Sequence, residues 1–177
     1  MTDGSSADPQ SAERSLHDAI VMTVSLTIDV PGRPLLALEH LLLDQNGTLT
    51  NRGTLIDGVS ERLARLRERL ELHVLTADTF GTLEVLVREL GVRGHRITSG
   101  ADKRSFLQAL GARSCAAIGN GNNDVAMLTA AALGIAVIGP EGASTAAVAA
   151  ADVVCGSVLD ALELLLDERV LVATLRA

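Results

Sequence analysis

Tryptophan and tyrosine are absent from this sequence, and phenylalanine occurs only twice. Binding nucleic acid through stacked bases needs aromatic platforms, so that class of function is excluded at the outset. An excess of basic charge is missing too. The formal net charge is −7 and the pI is near 5.0, which leaves no broad cationic footprint for a polyanion. Cysteine occurs twice, as Cys115 and Cys155, each in or beside an apolar run. Two such thiols resemble neither a zinc pair nor a disulfide framework, and they read as core residues. No uninterrupted apolar run of about 18 residues occurs, and the N-terminal MTDGSSADPQSAERS has no apolar signal region. The expectation is a cytoplasmic protein with neither membrane nor nucleic-acid partner.

What is present is aliphatic. Hydrophobic residues make up 47% of the 177 positions, enough for one domain with a core of Leu, Val, Ile and Ala. Residues 1–15 hold little to bury and read as a flexible tail, leaving 16–177 as a single domain. Residues 20–30 are rich in β-branched types; Pro31-Gly32-Arg33-Pro34 follows, then an apolar run over 35–43 broken by Glu39 and His40. This pattern predicts an N-terminal β-hairpin leading into a buried strand that ends at Asp44. Helical periodicity is then expected over 58–70, 81–90, 103–110, 124–133, 143–150 and 158–175. Short apolar strands are expected between these, at 72–76, 94–98, 115–118, 134–138 and 153–155. Such alternation indicates an α/β fold, a three-layer doubly wound parallel sheet.

Ligands of such sheets bind outside the carboxyl ends of the strands, so the residues at those ends carry the argument. Here they are Asp44, Thr76 and the loop Gly119-Asn120-Gly121-Asn122-Asn123-Asp124. Asp44 opens DQNGTLT, in which Gly47 permits a sharp turn and Thr48 offers a hydroxyl to a bound oxyanion. The segment makes sense as turn chemistry alone. It also makes sense as a carboxylate nucleophile toward phosphorus, which would need a metal to offset anion repulsion. Asp124 could simply cap a helix; beside Asp44 on the same sheet edge, it reads as an oxygen ligand for Mg²⁺. Thr76 can hold a phosphoryl oxygen, and Lys103, otherwise an ordinary solvated lysine, can neutralise charge on Asp44 and the transferring group. His40, His73 and His95 read as structural or surface residues.

In order, these elements resemble the motifs of the haloacid dehalogenase (HAD) superfamily, most closely the soluble relatives of the P-type ATPase phosphorylation domain. Asp44 resembles the phosphorylated aspartate of DxxGTLT, Thr76 the second-motif hydroxyl and Lys103 the third-motif lysine. Asn123 and Asp124 resemble the end of GDGxND. The resemblance implies a Rossmannoid core, Mg²⁺ as cofactor, and a phosphatase that acts on a phosphorylated substrate through an aspartyl phosphate on Asp44. Gly47, Thr48, Thr76, Lys103 and Asn123 would bind the substrate. Asp44, Asn46, Asn120 and Asp124 would hold the metal, Asn46 through its backbone carbonyl. In this family, insertions between motifs form a cap. Asp44 and Thr76 lie 32 positions apart and Thr76 and Lys103 lie 27 apart, so no cap domain is expected, and a homo-oligomer or the hairpin could cover the site instead.

Two positions depart from the pattern. Asn46 stands where these phosphatases carry a proton-transferring Asp, and an amide cannot take that role. Asn120 stands where GDGxND has Asp, keeping an oxygen donor while losing a charge. Slow turnover and weak Mg²⁺ affinity are expected. The alternative is a phosphate-binding or regulatory module that kept the fold and lost turnover.

Overall fold

The computed structural model of the chain describes residues 25–79 and 81–176. The expected tail and the first residues of the hairpin segment lie outside them. The hairpin is formed by β1 (Leu26–Ile28) and β2 (Leu36–Leu38), antiparallel, with Leu26 opposite Leu38. The apolar run expected as one strand divides after Leu38, and β3 (His40–Asp44) enters a different sheet. Two strands of two residues each follow, β4 (Thr50–Asn51) and β5 (Thr54–Leu55), paired antiparallel.

The remaining elements alternate as the sequence predicts. They are α1 (Val59–Leu66), β6 (Glu71–Thr76), α2 (Leu83–Leu90), β7 (Arg93–Arg96), α3 (Gly100–Leu110), β8 (Cys115–Gly119), α4 (Val125–Ala130), β9 (Leu133–Val137), α5 (Thr145–Ala150), β10 (Val153–Cys155), α6 (Val158–Leu166) and α7 (Glu168–Leu175). The expected helix over 158–175 is thus two helices. Asp167 leaves helical geometry at φ −121°, and its carboxylate accepts the Arg169 amide at the start of the second.

Six strands form one sheet in the order β10-β9-β8-β3-β6-β7, each neighbour pair parallel. Strands covered on both faces read as unbroken apolar runs, and Leu41, Leu42 and Leu43 are all fully buried. Their side chains alternate between two cores. Leu41 and Leu43 pack with Val59, Leu63 and Leu66 of α1, with residues of α2, α6 and α7, and with the hairpin. Leu42 packs with Leu107 of α3, Met127 and Leu128 of α4, and Ala147 of α5. Three layers result, as expected.

The hairpin sits at the N-terminal edge of the sheet. Glu39, just before β3, bonds to the Ser114 carbonyl just before β8, and Arg33 pairs with Asp152 just before β10. Asp44 ends β3 at the opposite edge, so the hairpin does not cover it. The chain leaves β3 for β6 and β7 on one side, then returns to β8, β9 and β10 on the other. The strand order therefore reverses between β3 and β8, the place where α/β sheets open a ligand crevice.

Candidate active site

The reversal brings the ends of β3 and β8 side by side, with the first turns of α3 beside them. The Lys103 ammonium, from α3, lies 2.6 Å from Asp44 Oδ1 and 2.7 Å from Asp124 Oδ1. The three residues are 1%, 4% and 0% exposed, respectively. Burial, and then the neighbouring Asp124 charge, push the Asp44 carboxyl up to about 7, against the opposing pull of Lys103. Burial alone would depress the Lys103 pKa, but the two carboxylates outweigh it and hold the ammonium above its ordinary value. One ammonium between two buried carboxylates leaves the cluster short of positive charge.

Asp124 does not cap α4 with its side chain. Its Oδ2 accepts the backbone amides of Asn120 and Gly121, at 3.0 and 2.9 Å. The glycine-rich loop after β8 therefore wraps around this carboxylate. Three of its roughly four lone-pair positions are engaged, counting the bond to Lys103.

Gly47 has φ +79°, and a Cβ there would come within 2.5 Å of the Asn120 amide nitrogen. Glycine is needed at that position for both conformation and space. Thr48 is buried, and its hydroxyl donates to Asn120 Oδ1 at 3.3 Å. Asn46 Nδ2 donates to the Thr76 hydroxyl at 3.4 Å, and the Asp78 amide donates to the same oxygen at 2.9 Å. With its oxygen accepting twice, the Thr76 O–H proton is free to donate. The structure thus brings Asn46, Gly47, Thr48, Thr76, Lys103, Asn120 and Asp124 together with Asp44 at this sheet edge. Asn123 is exposed and makes no side-chain hydrogen bond to the cluster among the described residues.

Other contributors escaped the sequence reading. Gln45 is buried and donates to the Thr82 hydroxyl at 2.7 Å. Asp78, at φ 54°, accepts the Leu83 amide and a two-pronged bond from Arg96. The Leu83 amide, with help from Arg96, holds the Asp78 carboxyl below its ordinary value. The loop after β9 holds Asn120 from the far side, through the Gly142 carbonyl and the Ser144 amide. A glycine-rich GPEG at a parallel strand end was the available signal for it.

The donors fit a hard cation. Every side chain facing the cluster offers oxygen or an amide, with no thiol or imidazole among them. The buried Asn46 Oδ1 also meets no hydrogen-bond partner. Oxygen donors and a shortage of positive charge are what Mg²⁺ requires.

Residues 97–161, which include Lys103, Asn120, Asn123 and Asp124, match the family described as haloacid dehalogenase-like hydrolase. The fold is similar to a 3-deoxy-D-manno-octulosonate 8-phosphate phosphatase from Moraxella catarrhalis, solved in complex with magnesium ion, phosphate ion and KDO. That likeness has a TM-score of 0.58 at 20% identity, over 78% of this chain and 94% of the other. Residues 97–161 thus resemble the HAD family in sequence, and the whole domain shares its fold with a phosphatase.

An uncharacterized protein of Methanocaldococcus jannaschii is 53% identical over 60 residues, which are 34% of this chain and 64% of the relative. The match therefore spans under two thirds of that relative's length. The fold is also similar to the catalytic domain of the CPx-ATPase CopB-B, with a TM-score of 0.54 at 22% identity, over 64% of this chain and 46% of that one. Set against the HAD pattern, Asn46 and Asn120 remain the departures, and both lie at the cluster. Among the described residues no helix is long and apolar enough to cross a membrane.

Proposed function

We propose that this chain is a HAD-like, Mg²⁺-dependent phosphatase in which Asp44 is transiently phosphorylated. The supporting observation is the buried Asp44–Lys103–Asp124 cluster at the sheet's reversal point. Lys103 holds Asp44 Oδ1, leaving Oδ2 to attack the phosphorus of a phosphorylated substrate. The new O–P bond forms as the bond to the leaving oxygen breaks, and that oxygen departs with the electron pair. Lys103 has a third N–H and Thr76 a free O–H, both available to the phosphoryl oxygens. Asp44, Asn46 and Asn120, with the one lone-pair position left on Asp124, would hold Mg²⁺, whose chemistry is to offset the repulsion between carboxylate and phosphate.

Water then attacks the phosphorus of phospho-Asp44, the bond to Asp44 breaks, and inorganic phosphate leaves. Asn46 can neither protonate the first leaving group nor take a proton from this water. Protons must come from solvent and return to solvent or product. The reading is therefore a slow enzyme, suited to leaving groups that need no protonation, such as the carboxylate of an acyl phosphate. Among the described residues, the chain between Asp44 and Thr76 builds only β4, β5, α1 and β6, and between Thr76 and Lys103 only α2, β7 and the start of α3. We read the site as capless on that basis, in the manner of soluble P-type ATPase relatives, and open to a large phosphorylated partner.

The test is hydrolysis of an aryl phosphate with Mg²⁺. Asp44→Asn is expected to reduce it to background. Equal activity in the two proteins would refute the nucleophile assignment. Asn46 and Asn120 also favour a second reading, a phosphate-binding module without turnover. Mg²⁺-dependent phosphate binding by a wild type inert toward a broad panel of phosphorylated compounds would support that instead.

A further inference from the structure

All three histidines among the described residues converge on one face of the sheet, His40 and His73 toward its N-terminal edge and His95 reaching His73 from the next strand, although the sequence scatters them. Strand order explains this. His40 begins β3 and stands opposite Glu71, the first residue of β6. His73 lies two residues further along β6, on the same face as Glu71. His95 is on β7, the next strand out. His40 Nδ1 lies 3.3 Å from His73 Nε2 and 3.2 Å from Glu71 Oε2, and Glu71 Oε2 lies 3.8 Å from His73 Nε2.

From this arrangement we infer a second metal site, in which His40 Nδ1, His73 Nε2 and Glu71 Oε2 bind Zn²⁺. It stands independently of the phosphatase reading. Bond lengths of about 2.0–2.1 Å give a tetrahedral zinc ion ligand–ligand edges of roughly 3.3–3.4 Å. The three atoms already form a triangle near that size, one face of a tetrahedron. Two imidazoles and a carboxylate are a recurrent zinc donor set, and magnesium would favour oxygen alone.

The surroundings also suit a metal. The other ring nitrogen of His73, Nδ1, lies 3.2 Å from His95 Nε2. Donation from Nδ1–H to His95 leaves Nε2 unprotonated and aimed at the ion. The other oxygen of Glu71, Oε1, is held by Arg93 at 2.5 Å. Outer partners of this kind orient metal ligands and fix their tautomers. The side chains of Glu71 and His40 are 34% and 15% exposed, so an ion can reach the site and water can take the fourth position. His73 is almost fully buried. Asp44 lies four residue steps along β3 from His40, about 13 Å at strand rise, so the zinc would bind apart from the reaction centre. Its effect would be to tie β3 to β6 at their starts.

The test uses the full chain, stripped of metal and titrated with ZnCl₂ by calorimetry. One equivalent is expected to bind, with a rise in Tm. His40→Gln and Glu71→Gln are expected to lose that binding, and His95→Gln to weaken it about 10–100-fold. Asp44→Asn should retain it, which separates this site from the phosphatase site. For readout without ligand substitutions, X-ray absorption of zinc-loaded Asp44→Asn should show two imidazoles on the metal. A wild type that does not bind zinc would overturn the proposal. So would binding that survives both His40→Gln and Glu71→Gln, binding lost in Asp44→Asn, or a ligand shell of oxygen alone.

Discussion

Asp44 carries a charge that its surroundings disfavour until a cation joins it, and this has a consequence for stability. Its folded pKa, raised from 3.8 to about 7, means that the folded, metal-free protein keeps a proton that the unfolded chain releases. Stability must therefore fall as pH rises through that window. Asp44→Asn fixes the neutral form. In EDTA it should be more stable than the wild type at pH 8, by about 4 kcal/mol for a shift of roughly 3 units at 1.36 kcal/mol per unit, with the gap closing toward pH 4. Urea melts at the two pH values measure this, and a gap independent of pH would contradict the assigned electrostatics. Asn46 yields a kinetic prediction. A carboxylate at that position restores a proton carrier, and general acid–base assistance is typically worth about 10²–10⁴-fold. Asn46→Asp should raise kcat on an alkyl phosphate by about 10²-fold, and much less on an acyl phosphate whose leaving group needs no proton. An equal gain on both substrates would mean that the residue acts through the metal or the loop geometry.

At the scale of elements, helix α3 delivers Lys103, and its first turn is positioned by contact rather than by propensity. Ser99 caps it by accepting the Asp102 amide, and Gly100 packs on the Asn122–Asp124 turn. Alanine is usually worth up to about 1 kcal/mol over glycine in a helix. At Gly100, however, a Cβ would lie 2.7 Å from the Asn123 carbonyl oxygen, which is backbone and cannot swing away. Gly100→Ala should therefore lower Tm, by about 1–3 kcal/mol of stability, and should cut activity by moving Lys103 relative to Asp124. A more stable, fully active variant would show that this contact positions nothing. The same distinction explains what the sequence revealed. The core strands were legible because burial on both faces makes them apolar runs, and Asp44, Thr76 and Asp124 were legible as polar residues where such runs stop. The β4–β5 hairpin was not, because its turn places Arg52 and Gly53 at φ 50° and 83°, and arginine does not announce a left-handed conformation. The histidine cluster was hidden for another reason. Its members lie on β3, β6 and β7, and only strand order and register make them neighbours.

For the whole molecule, the decisive feature is that the site joins two halves of one sheet. Asp44 ends β3, which leads outward through β6 and β7, while Asp124 follows β8, which leads outward through β9 and β10. Lys103 bonds to both carboxylates and so spans the reversal point. A ligand completing the cluster should therefore stabilise both halves together. Mg²⁺ with beryllium fluoride, which mimics an aspartyl phosphate, supplies that ligand. At a hundred times its Kd, binding contributes about 2.7 kcal/mol. For a domain of this size that is a Tm increase of roughly 5–10 °C, at about 2–4 °C per kcal/mol. Asp44→Asn should show no increase, because the mimic needs the carboxylate oxygen. Hydrogen exchange should slow in β3 and β6 and also in β8 and β9. Protection confined to β3 and β6 would mean that Asp124 and its loop take no part in holding the phosphoryl group, and the reaction scheme would then have to be rebuilt on Asp44 and Thr76 alone.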